Sequence, residues 1–267
     1  MKFTGLAVGL LFCLAASAAN PPSIYHDGWI DLNKNGKRDV YEDSTQPIAE
    51  RVDDLVSQMT LGEKIGQLWQ ISLEPESRNT FSAQLRNGEI GSFLSSFLGD
   101  LGETPVTRNQ LQHIAVEESR LGIPLIFGND VIHGFRTIFP IPLAQSCAWE
   151  PELFEQTTTI AAREAAATGV DWTFAPMVDL ARDPRWGRIA EGFGEDPWLG
   201  SLYAAACVRG FQGTNVADPD RVVACLKHFV GYGAAEGGRD YNTTEISELT
   251  LRNFYLPSSK PAWMRAR

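Results

Sequence analysis

The stretch "RVVACLKHFVGYG", from Arg221 to Gly233, begins as an apolar run and ends in polar residues and glycines. Val222 to Leu226 is short and uninterrupted, which is typical of a strand buried on both faces. Lys227 and His228 follow at once, and polar groups there are costly to bury unless they are paired or used. This change of character predicts a functional site at the carboxyl end of a strand.

Two earlier stretches repeat the pattern. "IPLIFGND" (Ile123 to Asp130) ends at a carboxylate, and "VDWTFAPMVDL" (Val170 to Leu180) leads into the charged segment from Arg182 to Arg188. A shorter apolar run, "IGSFLS" (Ile90 to Ser95), comes before them. Helical periodicity and capping signals separate these strands. Helices are predicted over residues 48–59, from 61 onward, and over 107–121, 151–168 and 197–209.

Strands that alternate with helices predict an α/β fold built on a parallel sheet. In a (β/α) barrel the carboxyl ends of the strands converge on one face and build the site. A doubly wound sheet would also place its site there and stays an alternative. No Gly-x-Gly-x-x-Gly follows a strand, so a dinucleotide site is not supported.

Composition narrows the class of function. The chain has 267 residues, is 43% hydrophobic and 21% charged, and carries a net charge of −10. This acidic balance disfavours a nucleic acid or an anionic membrane surface as partner, because phosphate neutralisation needs a basic face. Beyond Cys13, the cysteines at 147, 207 and 225 are odd in number and widely spaced without a Cys-x-x-Cys pair, which disfavours a zinc site.

The N-terminus predicts export. Lys2 precedes the apolar run Leu6 to Leu14, and Ala16 to Ala18 form an A-x-A cleavage site. This is the pattern of a secretory signal peptide, so we expect a periplasmic or secreted protein. We divide the chain into a signal peptide (1–19), a polar N-terminal extension (20–47), a partial (β/α) barrel (48–257) and an aberrant tail (258–267).

Three polar clusters at strand ends predict recognition chemistry. They contain Asp130 with His133, the charged segment from Arg182 to Asp196, and Lys227 with His228. A carboxylate accepts from neighbouring hydroxyls, cations donate to others, and aromatic rings supply flat faces, which together favour a monosaccharide pocket. Each cluster also has a structural interpretation: a helix cap, a hydrogen-bonded histidine, or a loop held by ion pairs. A metal site from His133 and His228 stays open.

The sequence resembles a known family at three segments. They are "NDVIHG", "RDPRWGRIAEGFGEDP" and "KHFVGYGAAEGGRDYN", and "ERVDDLVSQMTLGEKIGQL" resembles the opening helices. Over residues 45 to 257 the chain is similar to the N-terminal domain of glycoside hydrolase family 3, near the bacterial periplasmic β-glucosidases. The resemblance implies a (β/α)8 barrel, a retaining glycosidase without a cofactor, and a small β-glucoside or oligosaccharide as substrate. It implies that Asp130, Arg188, Lys227 and His228 hold the terminal sugar.

The sequence departs from the family pattern at two places. The N-acetylhexosaminidase branch has a second histidine where this chain has Tyr232, which favours a glucosidase-type or xylosidase-type member. Of these we expect a β-glucosidase, with a β-xylosidase as the alternative. The family's nucleophile is an Asp after Ser, and no Ser-Asp pair occurs in these residues. After Pro257 the family continues with a segment that resembles Ala-Gly-x-Asp-Ala-Gly. One choice of codons for Lys260 to Ala266 encodes Ala-Gly-Met-Asp-Ala-Gly when it is read two bases later, so we expect a frameshift near Ser258. We also expect that about half a barrel is present and that the chain has no normal turnover.

A separate motif lies in the N-terminal extension. "DLNKNGKRDVYE" fits the calcium-loop template D-x-[DN]-x-[DN]-G-x₅-E. The ligands would be side-chain oxygens and one backbone carbonyl, supplied by Asp31, Asn33, Asn35, Lys37 (carbonyl), Asp39 and Glu42. No helix is predicted before the loop and no second loop exists, so the other interpretation is an Asx-rich turn that fixes the chain's entry to the barrel. A non-catalytic sugar- or calcium-binding protein is thus a further alternative.

Overall fold

The computed structural model describes residues 23–73, 77–95 and 105–257. The predicted signal peptide and the predicted aberrant tail lie outside these residues. Among the helices that the structure describes, none is long and apolar enough to cross a membrane. A small antiparallel hairpin, β1 (Tyr25–His26) and β2 (Trp29–Ile30), opens the described chain and precedes the α/β part.

The centre of the fold is a five-stranded parallel sheet with its strands in chain order. The strands are β3 (Gln70–Leu73), β4 (Ser92–Ser95), β5 (Ile126–Asn129), β6 (Trp172–Thr173) and β7 (Val223–Ala224). A doubly wound sheet reverses its strand order at a switch point. No such reversal occurs among the described strands, so the order favours a barrel and confirms the predicted fold class.

The structure describes eight α-helices, of which four start at the predicted residue, one starts two residues before it, and three were not predicted. They are α1 (Ile48–Gln58), α2 (Leu61–Gln67), α3 (Ser77–Arg86), α4 (Pro105–His113), α5 (Pro142–Ser146), α6 (Pro151–Ala166), α7 (Pro197–Gln212) and α8 (Glu248–Thr250). The predicted capping box is confirmed, since Thr60 Oγ1 accepts the Glu63 N–H and Glu63 accepts the Thr60 N–H. Asp196 caps α7, where its carboxylate accepts the Leu199 N–H at 2.7 Å.

Two strand predictions were too long. The strand expected over Val170 to Leu180 is regular only at β6, and the one expected from Arg221 is regular only at β7. Pro176 is the reason, because proline has no N–H to donate to a ladder. Beyond it the two segments stay paired irregularly: the Lys227 N–H donates to the Pro176 carbonyl at 3.1 Å, and the Val178 N–H donates to the Lys227 carbonyl at 2.7 Å.

One helix prediction also needs correction. The helix expected over residues 107–121 is α4, which begins at Pro105 and continues as a single wide turn over Ile114–Glu118. The Ser119 hydroxyl donates to the Ala115 carbonyl and accepts the Gly122 N–H, so its side chain ends the turn before Leu121. Serine competes with helical hydrogen bonds in this way.

The larger core lies between α6, α7 and the last two strands. Phe154, Tyr203 and Phe211 are at most 2% exposed and pack with alanines of both helices. Gly210 permits this close approach, since a Cβ there would lie 1.9 Å from Thr158 Oγ1. A second cluster under β3 to β5 is centred on Phe93. The two clusters therefore pack against different strands of the sheet.

The N-terminal extension is attached to the barrel by specific contacts. Tyr41 is 5% exposed and its hydroxyl donates to the Leu121 carbonyl. The Lys34 ammonium donates to the carbonyls of Val116 and Ser119, at 2.8 and 2.6 Å. These carbonyls lie at the end of the wide turn after α4, where unpaired acceptors need donors. The extension thus covers this end of the domain.

Candidate functional site

Two of the predicted site residues meet above the sheet. Asp130 follows β5, Lys227 follows β7, and Lys227 Nζ lies 2.7 Å from Asp130 Oδ1. The contact spans β6. A barrel produces this geometry, because inward side chains from alternate strands lie in one layer. Only 12% and 15% of the two side chains is exposed, so the pair is held in a partly desolvated position.

Arg188 joins this pair through a second carboxylate. Arg188 lies on a short 3₁₀ turn, Gly187–Glu191, and its guanidinium donates to both carboxylate oxygens of Glu191, at 2.6 and 2.9 Å. Lys227 Nζ also lies 3.4 Å from Glu191. Burial by itself would raise the pKa of Glu191, but hydrogen bonds from Arg188 and the nearby Lys227 charge outweigh it and hold that pKa below its usual value. Glu191 therefore stays ionised between two cations.

His228 is held by a third carboxylate. Asp179 Oδ2 accepts the His228 backbone N–H at 2.9 Å and lies 2.7 Å from His228 Nδ1. The Asp179 side chain is 1% exposed and that of His228 is 33% exposed. The ring of Tyr232 lies edge-on to the His228 ring, with 4.7 Å between centroids.

Tyr232 completes the connection between His228 and Arg188. The Arg188 guanidinium lies 5.3 Å from the centroid of the Tyr232 ring, and the Tyr232 hydroxyl donates to Asp240. Asp240 also accepts the indole N–H of Trp186 at 2.8 Å. Burial and the Asp240 carboxylate raise the pKa of Tyr232 to about 12, so its hydroxyl is protonated near neutral pH. All four predicted sugar-binding residues thus belong to one continuous cluster.

Other polar residues singled out in the sequence have local structural roles. His133 Nδ1 lies 2.8 Å from the Phe139 carbonyl and closes its own loop. Arg185 binds Asp183 two residues away, at the surface. Among the described residues, no group of three or more His, Cys, Asp or Glu side chains is placed to hold a metal ion. His133 and His228 are therefore not members of such a group.

The calcium-like loop is closed by its own hydrogen bonds. Asp31 accepts the N–H groups of Asn35 and Gly36, at 3.0 and 2.8 Å, and Gly36 has φ of +78° as the template requires. Glu42 accepts the Leu32 N–H at 2.7 Å. The side-chain amides of Asn33 and Asn35 both donate to Asp39, while Lys37 is exposed.

The site offers a mixture of acceptors and donors that suits a polyhydroxylated ligand. Asp130 is a carboxylate acceptor, Lys227 and Arg188 are permanent donors, and Tyr232 and Trp186 provide aromatic surface. Sequence reasoning missed Asp179 as part of this cluster. Its signal is weak, because a single Asp in the apolar run "APMVDL" is also typical of a strand end.

The chain matches the model of the glycosyl hydrolase family 3 N-terminal domain over residues 60–262. It is 41% identical to a periplasmic β-glucosidase of Salmonella typhimurium over 213 residues, which is 78% of this chain and 27% of that protein. It is 34% identical to a periplasmic β-glucosidase/β-xylosidase of Dickeya chrysanthemi, covering 88% of this chain and 41% of the relative.

A solved structure agrees with these relatives. The crystal structure of a β-glucosidase from Listeria innocua in complex with glucose matches this chain with a TM-score of 0.72 and 40% sequence identity. The match covers 81% of this chain and 31% of the Listeria innocua chain. The chain thus spans between about a quarter and two fifths of the proteins it matches. The sequential parallel sheet, the polar cluster at its strand ends and these matches agree, and the chain belongs to glycosyl hydrolase family 3 through its N-terminal domain.

Proposed function

We propose that this chain supplies the sugar-binding side of the active site of a β-glucosidase-like retaining glycoside hydrolase. The observation that carries the proposal is the Lys227–Asp130 contact of 2.7 Å across β6, joined through Glu191 to Arg188. Fixed donors and acceptors of this kind bind several hydroxyls of one sugar ring in a defined orientation. No cofactor is required for this chemistry, and the ligand is the terminal β-D-glucose of a small β-glucoside or oligosaccharide.

The relatives support this assignment and also define a second candidate. The Listeria innocua relative was crystallised with glucose, and the Salmonella typhimurium relative is a β-glucosidase. The name of the Dickeya chrysanthemi relative includes β-xylosidase, so a xyloside is the alternative substrate. Because both bacterial relatives are periplasmic, we infer a periplasmic or secreted location for this protein.

We further propose that these 267 residues alone do not turn over substrate. A retaining mechanism needs two carboxylates about 5–5.5 Å apart, one of them free to act as a nucleophile. The carboxylates of the cluster are instead engaged: Asp130 with Lys227, Glu191 with Arg188, and Asp179 with His228. The Ser-Asp pair that carries the nucleophile in the family is absent from the sequence.

The function is tested by separating binding from hydrolysis in the purified chain. We expect calorimetry to detect glucose binding and an aryl β-glucoside assay to give no rate above buffer. An Asp130→Asn variant loses a charged acceptor and is expected to bind about 10- to 100-fold more weakly. Asp183→Asn is the control, because the Asp183 carboxylate binds Arg185 at the surface and lies outside the Lys227–Asp130 contact. Family-typical turnover by the wild-type chain contradicts the proposal that it is inactive.

A non-catalytic binding protein would give the same binding result, and a longer chain separates the two cases. When residues 1–257 are fused to the remaining part of the Salmonella typhimurium relative, of which the match covers 27%, the enzyme proposal expects hydrolysis that depends on Asp130. If the extended protein binds glucose but does not hydrolyse the aryl glucoside, the chain is a binding module. Xylose and glucose are then compared as inhibitors of this hydrolysis. Stronger inhibition by glucose favours the glucoside as substrate, and stronger inhibition by xylose favours the xyloside.

A structural calcium at residues 31–42 is a separate proposal. Asp31, Asp39 and Glu42 would supply carboxylates, but among the described residues the structure does not place three such side chains together to hold a metal ion. Calcium must therefore rearrange the loop and displace N–H donors such as that of Leu32, which now binds Glu42. We expect a calcium titration of the chain to give saturable heat that a Glu42→Gln variant lacks, because Glu42 is the bidentate ligand of the template. If the wild-type chain gives no heat, the loop is a hydrogen-bonded turn that fixes the N-terminal extension.

A further inference from the structure

Asp179 is the most deeply buried carboxylate of the cluster, and its contact is to His228. Its side chain is 1% exposed. One oxygen, Oδ2, receives both the backbone N–H of His228 and its ring nitrogen Nδ1, at 2.9 and 2.7 Å. Two bonds from one residue to one oxygen fix the backbone and the ring of His228 together.

The irregular pairing after β6 and β7 places the two residues side by side. The Val178 N–H donates to the Lys227 carbonyl, and Met177 forms an isolated parallel bridge with Lys227. The residues that follow each partner, Asp179 and His228, therefore lie next to each other at the carboxyl end of the sheet. The N–H of His228 is received by the Asp179 side chain and not by a backbone carbonyl.

The chemistry of a carboxylate determines which ring nitrogen carries the proton. An ionised carboxylate only accepts hydrogen bonds, so the nitrogen that faces it must be protonated. The proton on the neutral imidazole of His228 is thus on Nδ1, and Nε2 keeps its lone pair. Because Asp179 is buried while a third of His228 is exposed, the accessible side of the ring is the side away from Nδ1.

We propose that Asp179 is a positioning residue that fixes the orientation and the Nδ1-protonated tautomer of His228, so that Nε2 is presented to a sugar hydroxyl. The assignment of the hydroxyl rests on the proposed function, while the tautomer does not. Asp179 does not touch the sugar in this proposal. It acts through His228, just as Glu191 acts through Arg188 and Lys227.

The test is ¹⁵N NMR of the histidine rings in the 267-residue chain. Spectra recorded near pH 8.5, about two units above the ordinary imidazole pKa, distinguish the two neutral tautomers. The chain has 4 histidines, and a His228→Gln variant identifies the signal of His228. We expect the Nδ1-protonated form in the wild type and a shift toward the Nε2-protonated form in Asp179→Ala. An Nε2-protonated ring in the wild type overturns the proposal without any variant.

Two further variants separate positioning from a general structural role. Asp179→Asn retains an acceptor oxygen at the same place and is expected to keep most of the wild-type tautomer, while Asp183→Ala leaves the signal unchanged. Glucose affinity is expected to fall about two- to tenfold in Asp179→Ala and to recover in Asp179→Asn. If the wild type binds no glucose but shows the expected tautomer, the proposed function fails and the role of Asp179 stands. If Asp179→Ala folds and keeps the wild-type tautomer, the role of Asp179 fails.

Discussion

A Lys227→Met variant is expected to bind glucose about 10- to 100-fold more weakly than the wild-type chain and to unfold more easily. Methionine has a similar length but removes the ammonium that lies 2.7 Å from Asp130 and 3.4 Å from Glu191. A hydrogen bond to a charged group contributes about 1.5–3 kcal/mol, which corresponds to this loss of affinity. Calorimetry with glucose measures the first effect directly.

The loss of stability has a separate origin. Removing one partner of a buried ion pair costs about 3–5 kcal/mol, because the remaining charge is left without compensation. The side chains of Lys227 and its two partners are 12–25% exposed, so we expect the lower end of this range. Urea unfolding of the variant provides the measurement, and Lys64→Met, at an exposed position on α2, is the matched control. Unchanged glucose affinity in a folded Lys227→Met variant would remove Lys227 from the site.

The sequence predicts the convergence of Asp130, Lys227 and Arg188 because each follows an apolar strand or its extension. Parallel strands have their carboxyl ends at one edge of the sheet, and side chains that follow them must lie close together. The prediction needs neither loop conformation nor exact strand length. It therefore holds although β6 and β7 are much shorter than expected.

The network behind these residues was not predictable in the same way. The bond between Asp179 and His228 joins positions 49 apart in the chain, and it depends on the irregular register after Pro176. Sequence periodicity describes regular ladders, so a pairing that departs from them leaves no signal. The two roles of Glu191 depend likewise on the 3₁₀ turn Gly187–Glu191, which no apolar periodicity in the sequence predicts.

The calcium-like loop illustrates a different limit. Its residue pattern predicts the turn correctly, since Asp31 receives the Asn35 and Gly36 N–H groups and Gly36 has a positive φ. These hydrogen bonds form without an ion in the loop, because Asx side chains bond to nearby backbone N–H groups. The pattern thus determines the conformation of the loop, and only a titration determines its ligand.

The fold and the site are linked through one aromatic cluster. Phe154 of α6 lies 5.2 Å from Phe193 and 5.7 Å from Tyr203, measured between ring centroids. Phe193 comes two residues after Glu191, so the ring that packs into the core also fixes the turn that carries Arg188 and Glu191. A substitution in this cluster is therefore expected to lower both the free energy of unfolding and the affinity for glucose.

A Phe154→Ala variant is expected to lose about 3–5 kcal/mol of stability, the usual cost of removing a buried phenylalanine and leaving a cavity. Because the free energy of unfolding of a domain is about 5–15 kcal/mol, such a loss removes a large part of it. The adjacent Leu153 is 47% exposed on the same helix, and Leu153→Ala is the matched control, with an expected change within about 0.5 kcal/mol.

Urea unfolding of the two variants measures the difference, and glucose calorimetry under native conditions measures its effect on the site. We expect Phe154→Leu to recover part of the stability and part of the affinity, because leucine fills much of the cavity and again supports Phe193. If Phe154→Ala loses stability but the folded fraction binds glucose with wild-type affinity, the Arg188–Glu191 turn does not depend on this core. Its orientation would then come from the ion pairs with Glu191 alone.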